Sequence, residues 1–163
     1  MVTPAPPGAP FAKTAMSRIL PLLAAVLAFA AADARAFCVF NELKDKSLTV
    51  VQEEHPDWKR QDARFQKTIK PGTSACCEYK SLDCNPNGRQ NSLVGLAVDV
   101  EGEPALRCGP VGVPVKARQV KVSGDGTIRV VPNPKADSAA PYVARVWTHD
   151  KQDVTGPSGL PCR

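Results

Sequence analysis

Histidine is almost missing from this chain: of 163 residues only His55 and His149 are histidine. That leaves little material for a multi-histidine metal or acid–base centre. His149 has Asp150 and Asp153 close by in sequence, and a solvated strand end accounts for that cluster better than chemistry does; His55 sits in a polar loop. No C-x-x-C pair occurs, so the knuckles of a zinc site are lacking. G-x-S-x-G is absent too. Gly156-Pro157-Ser158-Gly159 lacks that spacing and sits in the C-terminal tail, so no nucleophile elbow is expected. Glu101 and Glu103 read as surface charges of a loop, and nothing singles out the acid and base of a glycosidase. No segment of the C-terminal part repeats apolar residues at helical spacing, and no internal repeat or second domain is visible. Neither a catalytic site nor a bound metal or cofactor is therefore expected.

One apolar run stands out, Ile19 to Ala32. It fits the roughly 7–15 residues of a signal-peptide core and falls short of the roughly 20 needed to span a bilayer. Lys13 and Arg18 supply its positive flank, and Ala34-Arg35-Ala36 has the small–x–small pattern that signal peptidase reads. Residues 1–36 are thus expected to be a signal peptide cut after Ala36, with 37–163 a single secreted or periplasmic domain. Arg35 and Phe37 fit neither conserved place of a lipobox, which removes lipidation at Cys38. Residues 1–15 are Pro-rich and precede a normal-looking start at Met16, so they read as a misassigned start.

Removing 1–36 lowers the formal net charge from +5 to +3. Such a mild excess is no nucleic-acid signature, and no nucleic-acid partner is expected. It leaves room for contact with a membrane surface, without spanning, and for anionic polymers. All six cysteines, Cys38, Cys76, Cys77, Cys84, Cys108 and Cys162, lie after the expected cut. An even number behind an export signal indicates disulfides. Six cysteines allow 15 connectivities. Adjacent Cys76 and Cys77 should point to opposite faces of a strand and bond different partners. A local Cys77–Cys84 loop and a Cys38–Cys162 bond closing the chain ends are the expected pairings.

The rest reads as short strands separated by turn signals: Phe37–Leu43, Leu48–Glu53, Ala63–Lys70, Ala75–Lys80, Ser92–Glu101, Val115–Val122, Thr127–Val131 and Tyr142–Thr148. Val94, Leu96, Val98 and Val100 line one face of the longest, whose other face (Leu93, Gly95, Ala97) is also apolar, so it is expected to be central and covered on both sides. Lys44-Asp45-Lys46 and Ser123-Gly124-Asp125-Gly126 are expected hairpin turns, the second pairing Val120 and Val122 with Ile128 and Val130. Pro71-Gly72 should separate two strands, and Glu54–Arg64 has room for one helical turn after Pro56. The fold expected is all-β: an antiparallel β-sandwich of about seven to eight short strands, held by disulfides. Its long Pro-rich loops, Gly102–Pro114 and Pro132–Pro141, are natural places for binding.

The opening Phe37-Cys38-Val39-Phe40-Asn41, followed by Leu48-Thr49-Val50-Val51 and Ile69-Lys70-Pro71-Gly72, resembles the first strands of thaumatin-like proteins over about a third of the mature chain. The resemblance implies a β-sandwich that begins with a hairpin. That family's dense cysteine pattern and acidic-cleft residues have no counterparts here, and no site is carried over.

Two groups of residues suggest a ligand. Asp83-Cys84-Asn85-Pro86-Asn87-Gly88 matches the first half of a calcium loop, with Asn91 at the ninth place. Val94 stands where the closing glutamate belongs, and Asn-Pro-Asn-Gly is equally a plain turn, so no metal is expected. A basic, aromatic face is the stronger hint. Lys116 and Arg118 alternate on one expected strand, Arg129 and Arg145 lie on neighbours, and Trp147 shares the face of Arg145. Trp58 beside Lys59 and Arg60 adds a second aromatic–cation pair. Trp147, Arg145, Arg129, Lys116, Arg118 and Trp58 form the expected ligand-binding set, because aromatics beside cations grip anionic saccharides or headgroups. The expected function is non-enzymatic: a binding or structural module for an anionic saccharide, envelope or protein partner. A membrane- or cell-wall-active toxin is the alternative, and a small secreted hydrolase the third.

Overall fold

The computed structural model describes residues 36–53, 64–102, 104–135 and 137–163. Residues 1–35 of the expected leader, His55, Trp58, Glu103 and the expected helical turn after Pro56 lie outside the described residues. Ten strands follow one another: β1 (Ala36–Asn41), β2 (Leu48–Gln52), β3 (Gln66–Ile69), β4 (Ser74–Glu78), β5 (Leu93–Val100), β6 (Leu106–Arg107), β7 (Val120–Ser123), β8 (Thr127–Pro132), β9 (Tyr142–Trp147) and β10 (Leu160–Cys162). They form two sheets. The first has the order β10-β9-β8-β1-β4; the second runs β3-β2-β5-β6, with β7 also on β5. Every pairing is antiparallel except the parallel pair β1–β8. The fold is all-β, as composition and alternation indicated.

Period-two patterning builds the core. Phe37 and Val39 of β1, Leu48 and Val50 of β2, Val94 to Val100 at alternate positions of β5, and Ile128 and Val130 of β8 are all buried between the sheets. Phe37 meets Phe65 edge-on, centroids 5.1 Å apart. Burial of each such side chain contributes about 1.5–3 kcal/mol. The β5 strand is central, and its outer face is covered only in part: Leu93 is 63% exposed, while Ala97 is buried.

Both expected hairpin turns instead carry the chain between sheets. Residues 44–46 join β1 of the first sheet to β2 of the second, and 123–126 join β7 of the second to β8 of the first. Val122 faces Val94 on β5, and Ile128 faces Val146 on β9. The hairpin opening implied by the likeness to thaumatin-like proteins is therefore not formed. A turn motif fixes a reversal of direction, not the sheet in which the next strand pairs. Here the core demanded the crossover, because a hairpin would put all of Val120, Val122, Ile128 and Val130 on one sheet.

Two short strands escaped the sequence reading, β6 inside the loop 102–114 and β10 in the tail. They close one side of the domain. Arg107 and Arg163 exchange backbone hydrogen bonds at 3.1 and 3.2 Å, Gly109 N–H donates to Pro161 O at 3.1 Å, and Cys108 bridges Cys162. Cys108 N–H also donates to Val98 O at 2.9 Å, so this strap pairs with β5 on one side and β10 on the other. Asp99 and Arg107, opposite each other on β5 and β6, reinforce it with two 2.7 Å hydrogen bonds. The expected strand Val115–Val122 begins only at Val120; Val115–Ala117 form a 3-10 turn after Pro114.

Three disulfides form: Cys38–Cys76, Cys77–Cys84 and Cys108–Cys162. Cys76 and Cys77 do bond different partners, and the local Cys77–Cys84 loop is present. The expected Cys38–Cys162 bond is not. Two strands separate β10 from β1, which puts them roughly 14 Å apart, twice the reach of a disulfide. Cys38 instead faces Cys76 on the neighbouring strand. Three disulfides suit an oxidising environment outside the cytoplasm. No helix among the described residues is long and apolar enough to cross a membrane.

Candidate functional site

The outer face of the first sheet carries the site. Inward-pointing Phe37, Val39, Ile128, Val130, Ala144 and Val146 fill the core, so their neighbours Phe40, Thr127, Arg129, Arg145 and Trp147 point outward. Register then sets rows across the sheet. Cys76, Cys38, Thr127 and Trp147 form one row; Ser74, Phe40, Arg129 and Arg145 form the next.

Arg129, Arg145 and Trp147 are brought together as the sequence suggested. The Arg129 guanidinium lies 5.2 Å from the Phe40 ring and 5.6 Å from the Trp147 ring, and that of Arg145 lies 4.9 Å from Trp147. Each cation also has a carboxylate. Arg129 pairs with Glu42 at 2.8 Å, and Arg145 pairs with Asp153. Burial pushes the Asp153 carboxyl up, but hydrogen bonds from Arg145 and from the Thr155 hydroxyl and backbone N–H outweigh it and hold the group below the usual carboxylate range. Arg145 Nε is buried without a hydrogen-bond partner.

At one end of the face lies an open depression of about 500 Å³, lined by Asp125, Thr127, Arg129, Trp147, Thr148, His149 and Lys151. The turn 123–126 borders it through Asp125. Gly126 N–H donates to Ser123 O at 2.8 Å, and the Ser123 hydroxyl accepts from His149 N–H at 3.0 Å. A Cβ at Gly124 would meet the Asn85 amide at 2.4 Å, and one at Gly126 would meet Trp147 O at 2.6 Å, so both glycines are required by close packing. The turn fixes Asp125, one of whose carboxylate oxygens is buried without a hydrogen bond. Opposite it, the hairpin after β9 carries His149 and Lys151. The Thr148 hydroxyl donates to Asp150 and holds that carboxyl below its usual range.

Lys116 and Arg118 do not join them, and Trp58 lies outside the described residues. Lys116 and Arg118 belong to the strap region of the second sheet, not to a strand. Arg118 is spent on structure, donating to Val113 O at 3.0 Å and Arg163 O at 3.3 Å. Lys116 is exposed, and its carbonyl accepts from Arg107. They fell out because the strand on which they were to alternate starts after them. No described residue of either long Pro-rich loop lines the depression. Asp125, Thr127, His149 and Lys151 were missed as a group; Asp125, His149 and Lys151 lie in turns and Thr127 at the start of β8, and only their nearness to Trp147 links them.

The calcium-like segment is a turn. Asn85 is fully buried, its amide donates to Arg89 O at 2.7 Å and its oxygen accepts from Ser92 at 2.6 Å. Asn87 and Asn91 open onto a hollow they share with Arg89, a poor neighbour for a cation. No group of three metal-ligating side chains occurs among the described residues.

No family model, curated protein or solved structure matches this chain. The likeness of its opening to thaumatin-like proteins thus finds no support, and the site stands on its own geometry.

Proposed function

We propose that this small disulfide-bonded β protein is a non-enzymatic binding module, active outside the cytoplasm, whose ligand is a saccharide seated on Trp147. The observation that carries the reading is the depression itself. A partly exposed indole stands beside acceptors (Asp125), donors (Arg129, Lys151) and groups that do both (Thr127, Thr148, His149) within one shallow, open hollow. A sugar ring offers an apolar face for the indole and a rim of hydroxyls that need both donors and acceptors. The carboxylates that follow His149 in sequence are already engaged, Asp150 accepting from Thr148 and Asp153 from Arg145 and Thr155, whereas Asp125 on the same lining keeps one carboxylate oxygen without a hydrogen bond.

An array of neutral and acidic oligosaccharides, probed with the oxidised protein, tests the reading. Binding should weaken about tenfold in Trp147→Ala while circular dichroism stays that of a folded β protein. Absence of binding across the array, or equal binding by the variant, would overturn it.

A further inference from the structure

Resting on the saccharide reading, a second question is which cation on the depression reads an acidic ligand. Arg129 and Lys151 both line it. Arg129 is already matched by Glu42 and stacked near Phe40 and Trp147. Arg145 lies outside the lining and is matched by Asp153. Lys151 differs on both counts. It is exposed and makes no ion pair with a described residue.

Its backbone is the second observation. Lys151 has φ of 63°, the one non-glycine residue with positive φ among those described. Lys151 N–H donates to Thr148 O at 2.9 Å, Thr148 N–H donates to Gln152 O at 3.0 Å, and Trp147 bridges Asp153. This is a three-residue hairpin loop, 149–151, whose last position is left-handed, where glycine is the favoured residue. A lysine there is strained, and strain of this kind gathers at functional sites. Glycine would close the same turn more readily but would leave the rim without its ammonium.

We propose that Lys151 is the specificity-determining residue of the site: its ammonium selects a saccharide bearing a carboxylate or sulfate, and the stacked Arg129–Trp147 pair forms the plate on which the ring rests. The geometry separates two roles that charge alone would merge. Arg129 holds the indole, and Lys151 reads the substituent.

The test uses the full oxidised protein with uronate-bearing, sulfated and neutral oligosaccharides of equal length, measured by calorimetry at two ionic strengths. Wild type should prefer the acidic probes, and added salt should shrink the preference. Lys151→Gly should lose about fivefold more affinity for acidic probes than for neutral ones, and melt at a higher temperature than wild type. Lys151→Arg should retain the preference. An unchanged preference in Lys151→Gly, a lower melting temperature in that variant, or a wild type that binds acidic and neutral probes alike would overturn this inference while leaving saccharide binding intact. A wild type that binds no probe would remove both.

Discussion

Arg129 on β8 and Arg145 on β9 stand directly opposite each other, two like charges in register on the same face of one sheet. Such a pair is destabilising when bare. Here each guanidinium has a carboxylate, Glu42 for Arg129 and Asp153 for Arg145, and both approach the Trp147 ring. The face is therefore close to charge balance, and Trp147 serves the fold by lying against both cations.

It follows that Trp147→Ala should cost more stability than its partial exposure suggests, about 1–2 kcal/mol beyond the lost burial. Denaturant unfolding of the single variant and of Trp147→Ala combined with Arg129→Gln checks this. The double variant should recover part of the loss, because removing one of the opposed charges relieves the repulsion that the indole no longer shields.

Asp153 makes the same face sensitive to acid. Its folded-state carboxyl is held below the usual range, so it binds a proton less readily folded than unfolded. The stability it contributes is complete above the ordinary aspartate value of about 3.9 and is lost as pH falls through the lower folded value. Melting temperatures measured down a pH series should fall in that window for wild type and fall less for Asp153→Asn. At neutral pH that substitution should cost about 1–3 kcal/mol, since Arg145 is left half-buried without its anion.

These relationships were only partly legible beforehand. Alternation in Val94 to Val100 and in Phe37 and Val39 is a property of one strand and could be read directly. The opposition of Arg129 and Arg145 was within reach, because β8 and β9 are joined by their own hairpin. What could not be read was anything that depended on which sheet a strand joins. The turn at 123–126 has hairpin chemistry, yet the two strands it links pair elsewhere. Strands β6 and β10 are too short to show a period, being two and three residues long. Their pairing, and with it the Cys108–Cys162 bond, emerges only when the sheets are assembled. Lys151 carries no sequence signal at all, since its distinction is a backbone angle.

Buried Asn41 should prove one of the costliest polar positions. Its amide donates to Lys46 O at 2.8 Å and Ile69 O at 2.9 Å, and its oxygen accepts from Leu43 N–H at 3.1 Å. One side chain thus ties the β1–β2 crossover to the end of β3. Asn41→Leu is close in volume but leaves those backbone groups buried and unpaired, at about 1–3 kcal/mol for the first and less for each that finds water. Asn41→Asp restores the acceptor and not the donors, so it too should destabilise. Chemical denaturation of both variants measures the loss; a near-neutral Asn41→Leu would show that the crossover is held by other contacts.

The disulfides should separate by exposure. Cys108 and Cys162 are fully buried and lock the strap between β5 and β10, whereas Cys76 is exposed and joins Cys38 across two strands already hydrogen-bonded to each other. Loop closure distinguishes them little, with sequence separations of 54 and 38 residues and a logarithmic dependence on length. Access and packing decide instead. A mild thiol reductant should attack Cys38–Cys76 first, because exchange requires the attacking thiolate to reach a sulfur. The double substitution Cys108→Ser with Cys162→Ser should cost about 2–5 kcal/mol, and more than the same change at Cys38 and Cys76, because two hydroxyls enter a site with no exposed surface. Timed alkylation with peptide mapping reads the order of reduction, and unfolding curves of the two double variants read the energies. First release of Cys108 and Cys162 would mean that the strap opens in the native state before the exposed bond is attacked.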